Sequence, residues 1–277
     1  MGLSREVAAL MRGVAQEVVL SRYRLLGAAD IAEKSPGEIV TAVDREAELR
    51  LREGLVRLEG DARIVGEEAC ADDPRLLDGI GRGLVWLIDP LDGTANFARG
   101  EGAFGMMIAL VADGEPVASW MLDPLSGRMC HAERGLGAWI DDRPARIAPR
   151  DERRRPVAAL ATQFMAGSDR LRVERSAARV FALEPIPRCA AESYPRLVTG
   201  RNQLAVFQRI LPWDHAAGFL FLAEAGGRAT HWDGEPYRVG SGRAGLIAAA
   251  SEDAWRRAMH VLSAPLSAID RYEPLAA

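Results

Sequence analysis

Twelve residues, Trp86-Leu87-Ile88-Asp89-Pro90-Leu91-Asp92-Gly93-Thr94-Ala95-Asn96-Phe97, constrain this chain more than any other stretch, because they set two acids, a hydroxyl and a glycine turn directly after an apolar run. Residues 84–88 have the pattern of a buried strand, and Pro90 and Gly93 interrupt the chain just beyond it. The acids therefore fall at a strand's carboxyl end, where open α/β sheets bind their ligands. If the backbone turns helical near Gly93, Asp89 and Asp92 share one face and the amides of Gly93, Thr94 and Ala95 point outward, a start that favours an anion. Two carboxylates about 4 to 6 Å apart repel by roughly 1 to 4 kcal/mol, so they require a cation between them or a raised pKa. A divalent metal together with a phosphate satisfies both halves of the motif.

A chain of 277 residues can form one large domain or two packed subdomains around an ample core. Its formal charge of -4 argues against a polyanion-binding surface, which leaves nucleic acid out as the main ligand. Cys70, Cys130 and Cys189 are far apart with no Cys-x-x-Cys, so neither a disulfide framework nor a thiolate metal site is indicated, and a reducing cytoplasm fits. The first residues lack a signal-peptide core, and Glu6 stands where a myristoylation motif needs Ser or Thr. No apolar run approaches the roughly 20 residues of a membrane span. The expectation is a soluble cytoplasmic protein with no membrane partner.

In chain order, apolar residues at helical spacing predict an amphipathic helix over 4–26 with Ser4 as N-cap, then a turn-rich link through Lys34-Ser35-Pro36-Gly37. Helical periodicity over 46–58 places Asp44 at a helix start, where an aspartate taken alone reads as an N-cap. Ile64-Val65 reads as a short strand running into Gly66-Glu67-Glu68. Residues 104–111, 117–122, 128–131 and 137–140 read as an antiparallel meander. Asp142-Arg143-Pro144 and the charged run 150–155 mark a boundary between an N-terminal α+β subdomain, 1–148, and a C-terminal α/β subdomain, 149–277. The second half alternates: strand 157–161, helix 169–181, strand 186–189, helix 192–199, strand 204–207, then an apolar helix from Pro212 to Ala225-Gly226-Gly227. Asp214 near its start also reads, alone, as an N-cap. His131, His215, His231 and His260 are scattered without ligand spacing and read as structural or exposed.

Asp89-Pro90-Leu91-Asp92-Gly93-Thr94-x-Asn96-Phe97 after an apolar strand resembles the first signature of the inositol monophosphatase family, Mg²⁺-dependent, lithium-inhibited phosphatases that include fructose-bisphosphatase-like and phosphoadenosine-phosphate phosphatases. Val40-Thr41-x-x-Asp44, Gly66-Glu67-Glu68, and Trp213-Asp214-x-Ala216-Ala217-Gly218 with Glu224-Ala225-Gly226-Gly227 match further family elements in the right order. The resemblance implies a layered αβαβα sandwich, usually dimeric, that hydrolyses a small-molecule phosphate monoester by direct attack of water. It implies one metal on Glu67, Asp89 and the Leu91 carbonyl, a second on Asp89, Asp92 and Asp214, and a third through Glu67 and water. Asp44 and Thr94 would activate the attacking water beside Glu67, with Glu68 behind it or facing solvent. The amides of Gly93 and Thr94 would orient the phosphate. An all-oxygen ligand set of this kind favours Mg²⁺ or Mn²⁺ over Zn²⁺.

The substrate pocket departs from the family pattern. Phe207 stands seven positions before Asp214, where inositol-selective members place a Glu for sugar hydroxyls, and Arg188-Cys189-Ala190-Ala191 replaces the usual Gly-Ser/Thr-Ala stretch. Arg188, Gln208 and Arg209 become the leaving-group contacts, and a sugar bisphosphate, histidinol phosphate or adenosine bisphosphate stands beside inositol phosphate as substrate. The Asp-x-Asp-Gly-Thr motif of haloacid-dehalogenase phosphatases looks similar, but Asp89 and Asp92 are three apart rather than two. A regulatory scaffold that keeps the phosphatase fold is the non-enzymatic alternative.

Overall fold

The computed structural model describes residues 2–27, 30–35 and 38–262. Helix α1 (Gly2–Val14) continues through a π-turn segment (Ala15–Val19) to Arg22, and β1 (Ile31–Ser35) pairs antiparallel with β2 (Glu38–Thr41) ahead of α2 (Ala42–Leu58). Then come β3 (Arg63–Gly66), α3 (Glu67–Asp72), β4 (Leu84–Asp92), α4 (Thr94–Arg99), β5 (Gly105–Ala112), β6 (Glu115–Leu122), β7 (Met129–Glu133), β8 (Gly137–Ile140) and β9 (Arg143–Ala145). The remainder is β10 (Val157–Ala161), α5 (Gly167–Ala177), β11 (Ala182–Glu184), α6 (Ala190–Val198), β12 (Leu204–Phe207), α7 (Pro212–Glu224), β13 (Arg228–Thr230), β14 (Leu246–Ala249) and α8 (Glu252–Leu262).

Strands β3 to β9 form a seven-stranded sheet in chain order, parallel only between β3 and β4. The second sheet has five strands in the order β11-β10-β12-β14-β13, parallel about β10 and antiparallel about β14. Successive side chains of a strand point to opposite faces, and that alternation builds the layers. On β4, Trp86 and Ile88 pack with Val7, Met11, Leu51 and Leu55 of α1 and α2, while Val85 and Leu87 face Leu197, Leu220 and Phe221 of α6 and α7. On β12, Ala205 and Phe207 close the same α6–α7 layer from the other side, while Leu204 and Val206 meet Val173 and Ala258 of α5 and α8. The order is helices, large sheet, helices, small sheet, helices: a layered αβαβα sandwich. Helix α7 is covered on both sides, which is why it is apolar almost all round.

Several local expectations are corrected. Ser4 lies inside the first helix, which starts at Gly2 and ends at Arg22 rather than 26; the Ser4 carbonyl accepts the Trp120 indole N–H at 3.1 Å. The link through Lys34 belongs to the β1–β2 hairpin, with Pro36 and Gly37 outside the described residues. Helix α2 starts four residues earlier than its apolar period indicates, and α5 stops at Ala177, where Phe181 already leads into β11. Arg143-Pro144 pairs as a strand, since left-handed Asp141 and Asp142 turn the chain back on β8. Residues 186–189 are a loop rather than a strand. Strands β13 and β14 and helix α8 had no sequence reading, and the expected C-terminal subdomain runs into 263–277, which lie outside the described residues. The three cysteines are buried free thiols. Among the described residues, no helix is long and apolar enough to cross a membrane.

Candidate active site

The backbone does turn helical at Gly93, but β4 stays extended to Asp92, so Asp89 and Asp92 precede the helix, and a regular strand would throw residues three apart to opposite faces. A bulge corrects this: the pairing with β5 jumps from Asp89–Met107 to Asp92–Gly105. The bulge, not helical spacing, brings both acids to one cavity. Asp89 is buried and one of its oxygens accepts the Leu91 amide at 3.1 Å, which holds the bulged backbone. Gly93 then adopts φ 83° as N-cap of α4, and a Cβ there would lie 2.8 Å from the Ala103 carbonyl, so this turn needs glycine.

Helix α2 delivers the next group. Thr41, not Asp44, is the N-cap: its hydroxyl accepts the Val43 amide at 3.2 Å, while Asp44 reaches back to the Thr41 amide at 2.8 Å and hydroxyl at 2.6 Å. That engages Oδ2 alone. The Oδ1 atom accepts the Thr94 hydroxyl at 2.9 Å, and the Leu91 carbonyl lies at the same distance from that hydroxyl. Burial raises the Asp44 pKa to about 6; the Thr41 hydrogen bond pulls the other way and the Glu67 charge adds to the rise.

Asp92 ties the large sheet to the middle helix layer, because it accepts the Ala191 amide of α6 at 2.6 Å across 99 residues of sequence. Its pKa is also raised to about 6, by burial first, opposed by that amide and increased by Glu67. Asp214 is the third residue of α7, whose N-cap is Leu211. Beside it, burial pushes the His215 imidazole down to about 3, so the ring is neutral. The Arg209 carbonyl can only accept, so Nε2 carries the proton and donates to it at 3.3 Å, leaving Nδ1 to accept the Tyr194 hydroxyl at 3.0 Å. His215 is thus a structural brace on the backbone of Arg209. A depressed His pKa costs stability as pH falls below its unfolded value of about 6.5, at roughly 1.4 kcal/mol per pH unit. We therefore expect chemical denaturation to show wild type losing about 2 kcal/mol more than His215→Asn between pH 7 and pH 5; parallel losses would remove the assignment of a buried neutral ring.

Glu67, Asp89, Leu91, Asp92, Gly93, Thr94 and Asp214 all line one cavity of about 280 Å³. Arg188 and Arg209 line it too, while Asp44 lies just beneath, reached through Thr94. Gln208 does not: just past the end of β12 it lines a neighbouring cavity of about 340 Å³, which shares Phe164 and Arg209 with the first. Glu68 is buried rather than exposed. Asn96 donates to the carbonyls of Ala103 at 2.6 Å and Pro187 at 2.9 Å, pinning the loop in which Arg188 takes a left-handed φ of 53°. The Arg209 guanidinium sits over the Phe164 ring at 4.5 Å. The donor chemistry suits a hard divalent cation, because four carboxylates face the cavity while the softer candidates are engaged. Cys189 is held as a thiol by burial beside Asp92, and both His215 nitrogens are used. Among the described residues, no three or more His, Cys, Asp or Glu are grouped so that they could hold a metal ion as they stand. The fit is therefore one of donor type and shared cavity.

The profile of the inositol monophosphatase family matches residues 4–267. The chain is 31% identical over 288 residues to an inositol-1-monophosphatase of Mycobacterium leprae, covering 99% of this chain and 93% of the relative. It is 34% identical over 226 residues to the Nus factor SuhB of Xylella fastidiosa, covering 79% and 78%. In fold it matches the crystal structure of the extragenic suppressor protein suhB from Bartonella henselae with a TM-score of 0.80 at 24% identity, over 96% of this chain and all of that one. The profile spans the bulged Asp89–Asp92 strand, the Asp44–Thr94 pair and Asp214 alike, and with a match from residue 4 to 267 the chain belongs to the inositol monophosphatase family.

Proposed function

We propose that the cavity at the end of β4 hydrolyses a small phosphate monoester, with Glu67, Asp89, Asp92, Asp214 and the Leu91 carbonyl holding two or three Mg²⁺ ions, or Mn²⁺ in their place. The observation that carries this reading is the convergence of acids from α3, β4 and α7 on one cavity beside the amide-lined turn at Gly93. Bound there, the ions supply Lewis-acid stabilisation of the phosphate oxygens and the leaving alkoxide. The Gly93 and Thr94 amides orient the phosphate. The Thr94 hydroxyl, hydrogen-bonded to Asp44, accepts a hydrogen bond from the attacking water and passes its own proton toward the Asp44 carboxylate. Direct attack of water needs no phosphoenzyme. In the same reading the ligands come from both halves, 1–148 and 149–277, the enzyme is a cytoplasmic homodimer, and Li⁺ inhibits it.

A second reading concerns the leaving group. Phe207 is buried between Tyr194 at 5.7 Å and His215 at 4.7 Å, so this wall offers an aromatic ring where a polyol needs hydroxyl acceptors. Arg188 and Arg209 add positive charge to the same wall. That combination favours an ester whose leaving group is itself anionic over a neutral polyol, and disfavours a cationic aminoalcohol.

A phosphate-release screen over inositol, sugar bisphosphate, histidinol and adenosine bisphosphate esters separates the two. EDTA is expected to abolish release and Li⁺ to inhibit it, with kcat/KM at least about tenfold higher for a bisphosphate than for inositol phosphate, or about 1.4 kcal/mol. Absence of Mg²⁺-dependent release from every ester would remove the hydrolase reading; a preference for inositol phosphate would remove only the second.

A further inference from the structure

Helix α2 carries a second buried acid one turn beyond Asp44. Glu48 is 3% exposed, and its carboxylate accepts the amides of Glu68 at 2.7 Å and Ala69 at 3.0 Å. These are the second and third residues of α3, whose N-cap, Gly66, has no side chain to offer them. Such amides are normally satisfied by the residue just before the helix; here the acceptor comes from another helix, about twenty residues upstream. Gly66 leaves the room for it, because a Cβ at that position would overlap the Glu48 carboxylate. Burial raises the Glu48 pKa, two amides and Arg52 oppose the rise, and the Glu67 charge adds to it. The chain thus keeps an acid close to Glu67 and Asp44, where negative charge is already costly.

We infer that Glu48 is a positioning residue for Glu67: by gripping the amides that follow Glu67 it fixes the backbone from which that side chain enters the cavity. Helix α2 then acts as a spacer, with Asp44 on the Thr94 hydroxyl and Glu48, four residues on, at the start of α3. Both contacts leave the same face of the helix, since residues at i and i+4 are neighbours. The assignment rests on the reading of Glu67 as a metal ligand. A glutamine cannot substitute fully, because its amide oxygen caps one N–H while its NH₂ group meets the other donor.

The test compares wild type, Glu48→Ala, Glu48→Gln and Gly66→Ala with Leu55→Ala, a control that removes another buried side chain from the same face of α2 two turns further along, away from α3. Mn²⁺ binding without substrate is measured by electron paramagnetic resonance, alongside thermal unfolding and the Mg²⁺ concentration for half-maximal phosphate release. Glu48→Ala and Gly66→Ala are expected to weaken Mn²⁺ binding at least about tenfold, with Glu48→Gln intermediate and KM for the ester at saturating metal within about threefold of wild type. Leu55→Ala is expected to lower the unfolding temperature yet bind Mn²⁺ like wild type. If Glu48→Ala does not fold, Glu48→Gln decides. Wild-type Mn²⁺ affinity in the folded Glu48 variants, or an equal affinity loss in Leu55→Ala, overturns the positioning role. A wild-type protein that neither binds Mn²⁺ nor releases phosphate overturns the reading of Glu67 as well.

Discussion

Asp89→Asn is expected to lower kcat/KM for Mg²⁺-dependent phosphate release by at least about 10³-fold, on the order of 4 kcal/mol, in a protein that remains folded. Asp89 is 2% exposed and sits at the bulge, so it faces the cavity with little freedom to be replaced by a neighbour or by solvent. The asparagine oxygen can still accept the Leu91 amide that Asp89 now accepts at 3.1 Å, which keeps the bulged backbone in place. What disappears is the charge. Asp92 and Asp44 already have pKa values near 6, so this pocket resists accumulating negative charge, and removing one carboxylate relieves repulsion. Thermal unfolding in EDTA at pH 7.5 is therefore expected to be unchanged or higher for the variant while activity is lost. Retention of more than a tenth of wild-type turnover would count against Asp89 as a central ligand.

Gly218→Ala is expected to be the most damaging single-methyl change in the middle layer. Gly218 lies inside α7 facing the Tyr194 ring of α6, and a Cβ there would overlap three ring carbons. Tyr194 is fully buried, stacked on Phe207 and hydrogen-bonded to His215, so it has nowhere to retreat. Overpacking a tight core costs about 1–3 kcal/mol and occasionally more, and the gain from alanine's helix propensity returns at most about 1 kcal/mol. At the upper end of that range the net loss is roughly 2–3 kcal/mol, or about 3–5 °C in Tm for a chain of this size. Calorimetry reads it directly, and an unchanged Tm would mean that α6 and α7 separate more easily than their packing indicates. Because Tyr194 also braces His215 beside Asp214, activity is expected to fall with stability.

Asp89 and Asp92 were legible from local chemistry, whereas Asp44, Glu67 and Asp214 were assigned only through the family resemblance, Asp44 and Asp214 reading alone as helix caps. Asp89 to Thr94 combine a strand end with a glycine turn, and Asp44 and Asp214 each open a helix. Glu48 was not legible, since the amides it caps belong to a helix about twenty residues away in sequence. Residues 186–189 look like a strand by apolar content, yet Asn96 pins the Pro187 carbonyl and Arg188 turns left-handed. Strands β13 and β14 escaped notice because three or four residues among glycines show no periodicity.

By itself, the sequence determined the central β4 strand, the antiparallel meander, the apolar α7 and the chemical kind of the cavity, because periodicity and local spacing are written into neighbouring residues. Only the tertiary structure decided that a bulge rather than a helical turn unites Asp89 with Asp92, that His215 is a neutral brace, and that Glu48 caps α3. Those outcomes depend on burial and on partners far apart in the chain, and neither can be read from any short stretch of it.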